Sequence, residues 1–258
     1  MISPNDFNAS HNFSRSLRIP RKLHMIWVGH DNPKPERCIQ SWRDNHPDWE
    51  FKLWTDSDIG RTSWITGHHL EEFVRRRKWP AVADLMRYEI LYREGGVYAD
   101  ADSRSVRPLQ DWLLESEMFA SWENTLGRAR LVNNAFLGSA PGIPFLRFVI
   151  DSIKERKQLF TRWSWSRMRY VRMGAWRSVG PHHLTKCIHS FGGAGYHGIT
   201  ILPSQMFSPH HYRDITEGSR SGVIFADHAC ASTRKLYGKL STQSGQNPEA
   251  LRRSFVKT

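Results

Sequence analysis

Apolar positions along the chain come in short runs. From Ile19 to Gly29, IPRKLHMIWVG, an apolar run ends in glycine and predicts a buried strand lying centrally in a parallel sheet. A loop carrying Pro33 and Pro35 leads to a predicted helix with Cys38, Ile39 and Trp42, and a second strand follows over Phe51, Lys52, Leu53 and Trp54. Strand, helix and strand in that order make the parallel unit of a nucleotide-binding half-domain. Residues 57–78 predict one or two helices around Gly67. Pro80 suits the first turn of a helix, where a missing N–H costs nothing. Strong helix formers then run to Glu94 without an internal Gly or Pro, and Gly95 and Gly96 stop them. Val97, Tyr98 and Ala99 read as a short buried strand, Asp111 to Trp122 continue the fold beyond Pro108, and Ile201 to Phe207 read as a strand and turn.

Composition narrows the class. A chain of 258 residues with 39% hydrophobic and 24% charged residues is long enough for one good-sized core. The expected organisation is a flexible tail over 1–18, one domain over 19–240 and a polar tail over 241–258. No stretch approaches the roughly 18 apolar residues of a spanning helix. The first residues, MISPNDFNASHNFSRSL, lack the basic start and apolar run of a secretory signal, so the expected location is cytoplasmic, at most peripheral on the inner face of the cell membrane. The cysteines Cys38, Cys187 and Cys230 are odd in number and widely spaced, against a disulfide framework. Paired histidines occur at His68/His69, His182/His183 and His210/His211, without a structural-zinc spacing.

Candidate chemistry gathers after the short strand. Asp100 and Asp102 follow it at its carboxyl end, where open α/β sheets place their ligands. In an extended segment alternate residues share a side, so both carboxylates would face one site. Hard oxygen ligands at that spacing suit Mg²⁺ or Mn²⁺ together with substrate phosphate oxygens and water. Asp84 and Arg87 lie three apart on one predicted helix face and would offer an acceptor for sugar hydroxyls beside a cation for phosphate. Taken singly, an Asp-x-Asp is often a solvated turn and such an Asp/Arg pair a surface ion pair.

The ordered set Ala81, Asp84, Arg87, Tyr88, Gly95, Gly96, Tyr98, Asp100 and Asp102 resembles the Asp-x-Asp sugar-binding region of family 32 glycosyltransferases, which include yeast mannosyltransferases and many bacterial capsule enzymes. More distantly it is similar to the glucosyltransferase domains of large clostridial toxins. The resemblance extends over roughly residues 19–235 and implies an α/β fold, a single GT-A-type (Rossmann-like) nucleotide-sugar-binding domain with a mostly parallel central sheet and added helices. It implies a nucleotide-diphosphate sugar, UDP- or GDP-linked, as donor. By the same resemblance Trp27 is the base-stacking candidate, against a buried core tryptophan. Tyr88 joins Asp84, Arg87 and Asp100 in holding the donor. Asn134, in a stretch similar to the family's Asn-containing strand and Pro-Gly-x-Pro turn, is the candidate for the donor sugar or reacting centre, with Asn133 as fallback and a turn-capping side chain as the alternative. Val179, Gly180, Pro181, Leu184 and Thr185 match the family's Gly-Pro-x-x-Leu-Thr. His228 is implied as a third metal ligand beside Asp100 and Asp102. Family members often have a His-rich stretch ending in Ser-Trp, where this chain keeps His228 and Ser232 but has Thr233, a departure from the pattern on the leaving-group or acceptor side of the pocket.

Charge adds a surface. Lys and Arg outnumber Asp and Glu by 37 to 25, a net +12 that attracts polyanions or an anionic membrane face. Basic residues cluster at Arg75, Arg76, Arg77 and Lys78 and through Arg162, Arg167, Arg169, Arg172 and Arg177, the latter interleaved with Trp163, Trp165, Tyr170 and Trp176. Three readings of that second stretch stand open: a segment against anionic lipid, a stacking and phosphate surface for nucleic acid, or a solvated face around an acceptor groove.

The expected function is transfer of a hexose to a hydroxyl acceptor, a glycan or glycolipid, in bacterial surface polysaccharide or glycolipid synthesis. The resemblance implies retention of anomeric configuration. Two alternatives stand beside it: a phage or effector enzyme glycosylating a nucleic-acid base or a protein, and a non-catalytic sugar-nucleotide-binding module.

Overall fold

The computed structural model describes residues 17–29, 33–124, 128–192, 198–209 and 222–228. Both expected tails except Leu17 and Arg18, and also Cys230, Ser232, Thr233 and the pair His210/His211, lie outside the described residues.

In chain order the elements are β1 (Lys22–Ile26), α1 (Glu36–Asn45), β2 (Glu50–Trp54), α2 (Asp56–Arg61), α3 (Gly67–Arg75), α4 (Trp79–Glu94), β3 (Gly96–Ala99), β4 (Ser103–Ser105), α5 (Asp111–Leu114), β5 (Met118–Asn124), β6 (Arg128–Ser139), α6 (Pro144–Lys154), β7 (Thr161–Ser164), β8 (Arg169–Arg172), α7 (Ala175–Ser178), α8 (Pro181–Gly192), β9 (Ile199–Leu202) and β10 (Ala226–His228). Six strands form the main sheet in the order β2-β1-β3-β6-β5-β9. β1 runs parallel to β2 and to β3, β6 antiparallel to β3 and β5, and β9 parallel to β5. The sheet is therefore mostly parallel, as expected.

β1 differs from the reading in two respects. It is shorter than Ile19 to Gly29, because Pro20 has no N–H to give to a ladder and Gly29 leaves the sheet with φ 89°. It also lies second from the edge rather than at the centre. The one or two helices expected over 57–78 are two, α2 and α3, and Gly67 begins the second.

Alternation along the strands sorts side chains to two cores. Ile26, Tyr98 and Leu137 pack with Leu70, Phe73, Leu85, Val149 and Leu184 on one side. Leu23, Met25, Val97 and Phe136 pack with Ile39, Trp42, Leu113 and Phe225 on the other. α4 is enclosed almost all round: every residue from Asp84 to Leu91 is buried. A helix so enclosed must find partners for its polar side chains. Glu89 illustrates this, since its carboxylate accepts the N–H of Ile65 (2.6 Å), the N–H and hydroxyl of Thr66 (2.8 and 2.7 Å) and Nη2 of Arg93 (3.1 Å), and so fixes the start of α3.

The glycine stop after α4 is required by space. Gly95 and Gly96 have φ 65° and 93°, and a Cβ on Gly96 would come within 2.7 Å of the Lys22 carbonyl oxygen. His24 clamps the same corner: its Nε2–H donates to Gly95 O at 3.0 Å while Nδ1 accepts Trp54 Nε1–H at 3.3 Å.

Candidate active site

The carboxyl end of β3 carries the site. Asp100 donates its backbone N–H to Ala135 O of β6 at 2.9 Å, and the chain then turns, with Ser103 N–H returning to Asp100 O at 2.9 Å. Asp100 and Asp102 thus occupy a tight turn. This corrects the expectation of an extended segment. The turn is held from α1, where Trp42 Nε1–H donates to Ser103 O and Oγ at 3.1 Å each. β4 leaves the turn and pairs antiparallel with β10, placing Ser103 opposite His228. As a result His228 Nε2 lies 3.1 Å from Asp102 Oδ1 and 3.5 Å from Asp100 Oδ2. One ligand atom from each of Asp100, Asp102 and His228 lies within 4.8 Å of the others.

Asp100 faces two ways. Its Oδ1 accepts the Tyr98 hydroxyl at 2.6 Å and sits 3.2 Å from Arg87 Nη2, while Oδ2 is the atom nearest His228. Arg87, 4% exposed, also reaches Asp84 Oδ1 at 3.2 Å, donates from Nη1 to Asn134 O at 2.6 Å and from Nε to Ala83 O at 3.2 Å, and lies 4.4 Å over the Tyr98 ring. Burial opposes its charge, but Asp100, the Tyr98 phenol and Asp84 outweigh that and raise its pKa. Arg87 is therefore the buried hub between two carboxylates.

Asp84 is 6% exposed, and its Oδ1 accepts Asn134 Nδ2–H at 2.8 Å. Burial pushes its carboxyl up to about 6, Arg87 and Asn134 acting the other way. A Cβ on Gly180 would meet Asp84 Oδ2 at 3.0 Å, so the chain between α7 and α8 closes directly onto this carboxylate. Tyr88 is fully buried, with its hydroxyl donating to Val179 O at 3.0 Å and accepting from Asn134 at 3.2 Å. Asn133 turns instead to its own strand and accepts Ala135 N–H at 2.8 Å. Trp27 lies half-buried where the chain leaves β1, its N–H on Trp54 O at 2.8 Å.

The structure therefore brings Asp84, Arg87, Tyr88, Asp100, Asp102, Asn134 and His228 together, with Trp27 at the end of a neighbouring strand. Tyr98, Ser103 and Gly180 were given no role from the sequence. Tyr98 and Gly180 stand in the matched patterns, but only packing shows that one holds Asp100 and the other borders Asp84; Ser103 carried no signal.

The donor set suits a divalent cation. Two carboxylates and an imidazole favour a first-row ion such as Mn²⁺ and also accept Mg²⁺. His228 and Asp102 are 11% and 8% exposed at the side chain, so the set is sheltered.

Residues 33–119 match the family described as glycosyltransferase sugar-binding region containing DXD motif. That span includes the Asp84 to Asp102 cluster and excludes Asn134 and His228. Among curated proteins the chain is 28% identical over 218 residues to inositol phosphoceramide mannosyltransferase 3 of Schizosaccharomyces pombe, covering 80% of this chain and 56% of that protein. It is 34% identical over 166 residues to a mannosyl phosphorylinositol ceramide synthase of Saccharomyces cerevisiae, covering 60% of this chain and 40% of the relative. The chain thus spans about half the length of these relatives. Among solved structures, the UDP-bound glycosyltransferase domain of the YGT toxin superposes with TM-score 0.52 at 10% identity, covering 93% of this chain and 90% of that one. That likeness is one of fold, the GT-A architecture.

Proposed function

We propose that this chain, whose residues 33–119 match the family with a DXD sugar-binding region and whose fold is GT-A, is a metal-dependent glycosyltransferase moving a hexose from a nucleotide-diphosphate sugar to a hydroxyl acceptor. The observation that carries this reading is the convergence of His228 with Asp100 and Asp102, ligand atoms within 4.8 Å, beside the buried Asp84–Arg87–Asn134 cluster. The relatives' names point to mannose as the sugar and to an inositol-phosphate-bearing lipid as the acceptor. We take that acceptor in preference to a bacterial surface polysaccharide.

Asp100, Asp102 and His228 would hold Mn²⁺ or Mg²⁺. When bound, the ion offsets negative charge on the diphosphate leaving group. Arg87 keeps Asp100 Oδ1 engaged, so that Oδ2 stays aimed toward His228 and Asp102. Asp84 offers an acceptor for sugar hydroxyls, and Asn134, whose amide hydrogens go to Asp84 and the Tyr88 hydroxyl, fixes that carboxylate, so that the donor's orientation is set before reaction. Trp27 would lie against the base. The acceptor oxygen would bond to an anomeric carbon with oxocarbenium character as the bond from that carbon to the diphosphate breaks, the acceptor proton passing to the departing phosphate oxygen, and we assign retention of configuration.

The test is hydrolysis and transfer with a panel of UDP- and GDP-sugars, GDP-mannose among them, with Mn²⁺, using inositol phosphoceramide as acceptor and Asp102→Asn as control. Cleavage of one donor by the intact chain and none by the variant supports the reading. No binding or cleavage of any donor overturns it.

A further inference from the structure

One element stands outside both the main sheet and the site. β7 and β8 form a separate two-stranded antiparallel ribbon, with Trp163 opposite Tyr170 and Thr161 opposite Arg172. The two strands are joined by a 3₁₀ turn over Trp165–Arg167, closed by Met168 in the left-handed region at φ 45°. Its apolar residues point outward. Trp165 is 79% exposed, Met168 66% and Tyr170 64%. Trp163 stands edge-on to both Trp165 (6.0 Å) and Tyr170 (5.3 Å), so the aromatic rings form one cluster at the tip. Single exposed apolar residues need no explanation, but a contiguous cluster of this kind marks an interaction surface.

The charge around that cluster selects the partner. Arg167, Arg169, Arg172 and Arg177 are exposed, and the chain has neither Asp nor Glu between Glu155 and Asp214. The fold then adds the second basic run. Phe160, at the root of the ribbon, packs edge-on against Phe73 of α3 at 4.9 Å, and the Arg76 guanidinium lies 4.3 Å over its ring. Arg75 to Lys78 are thereby brought beside the ribbon, with Glu72 pairing Arg75 and Arg76. Two basic runs far apart in sequence become one side of the molecule.

We propose that the β7–β8 ribbon is a docking element for an anionic lipid bilayer, with Trp165, Met168 and Tyr170 entering the interface and Arg167, Arg169 and Arg172 meeting the headgroups. Tryptophan and tyrosine settle at the headgroup level, and arginines beside them gain from the negative surface potential. A protruding tip carrying Met168 suits insertion into an interface better than it suits a single nucleic-acid strand, which is held along a basic groove with bases stacked in series. The ribbon runs through α7 into Val179 and Gly180, which bound Tyr88 and Asp84, so docking would bring the candidate site close to the membrane plane. The binding itself does not depend on the transferase reading, and either can fail without the other.

Co-sedimentation of the full chain with vesicles of phosphatidylcholine alone, or mixed with phosphatidylserine, tests this. Binding is expected to the mixed vesicles and to weaken with salt. Arg167→Gln with Arg169→Gln should lower the partition constant about 25-fold, about fivefold for each arginine near an anionic surface. Trp165→Ala, at a position with almost no packing to lose, should weaken binding without altering the circular dichroism spectrum. Absence of binding to the mixed vesicles, equal binding to neutral vesicles, or indifference to both variants overturns the proposal. Tighter binding to a single-stranded oligonucleotide than to the mixed vesicles, abolished by Trp165→Ala, overturns it in favour of nucleic acid.

Discussion

His228 Nε2 and Asp102 Oδ1 lie 3.1 Å apart although 126 positions separate the residues. The pairing of β10 with β4 creates this contact, and it gives the Asp-x-Asp turn a nitrogen ligand from the far end of the described chain. If this trio binds the cation, His228→Ala should weaken Mn²⁺ binding by about 100-fold, the upper end of what supporting groups alone cost a metal site. Calorimetric Mn²⁺ titration of the folded variant reads this directly, and unchanged affinity removes His228 from the ligand set.

Tyr98→Phe keeps the buried ring under Arg87 and deletes the hydroxyl that donates to Asp100 Oδ1. A hydrogen bond to a charged group contributes about 1.5–3 kcal/mol, so the variant should unfold at lower urea and turn over more slowly. With Asp100 less constrained, kcat should fall more than KM rises. Wild-type kcat in a folded Tyr98→Phe protein would separate Asp100's placement from this bond.

Glu89→Gln tests how an enclosed α4 tolerates its polar residues. The amide nitrogen would replace one carboxylate oxygen and so face either the Thr66 N–H, held at Oε1, or the Ile65 N–H and Arg93, held at Oε2, and the change loses a charge from a site 1% exposed. Breaking a buried charged network costs about 3–5 kcal/mol. Urea unfolding should show a loss in that range, and a change under 1 kcal/mol would mean that the start of α3 is held by other contacts.

Acid should destabilise the fold through histidines withdrawn from solvent, His24 buried and His183 half-buried. Burial lowers the pKa of His24, and it lowers His183 to about 4, with Arg156 and Lys186 adding to the effect. Between the ordinary histidine value of about 6.5 and the lowered folded value, the unfolded chain binds more protons. Stability is therefore fully present above about pH 6.5 and is lost as pH falls toward 4. Asp84 acts in the opposite sense below pH 6, because burial raises its carboxyl to about 6 and the folded state then takes up the extra proton. Urea midpoints at pH 7.5 and pH 5 should show the histidine loss, and His183→Gln should flatten the slope. A midpoint rising toward pH 5 would make Asp84 dominant.

Much of this protein was legible in its sequence because the relevant signals are local. The start of α4 at Pro80, its end at Gly95 and Gly96, and the carboxylates just beyond Ala99 follow from φ restrictions, helix propensity and strand length, all acting within a few residues. The ordered pattern from Ala81 to Asp102 carried the resemblance to glycosyltransferases with a DXD sugar-binding region for the same reason. Tertiary structure alone decided how those residues meet. Asp100 and Asp102 converge through a turn pinned by Trp42, not by strand alternation, and Asn134 rather than Asn133 reaches Asp84 because the irregular pairing of β5 with β6 leaves it facing α4. The two basic runs share a side because Phe160 packs on Phe73. Such contacts join positions tens of residues apart, and their geometry depends on which faces of sheet and helix bury together, a choice that short-range periodicity does not encode.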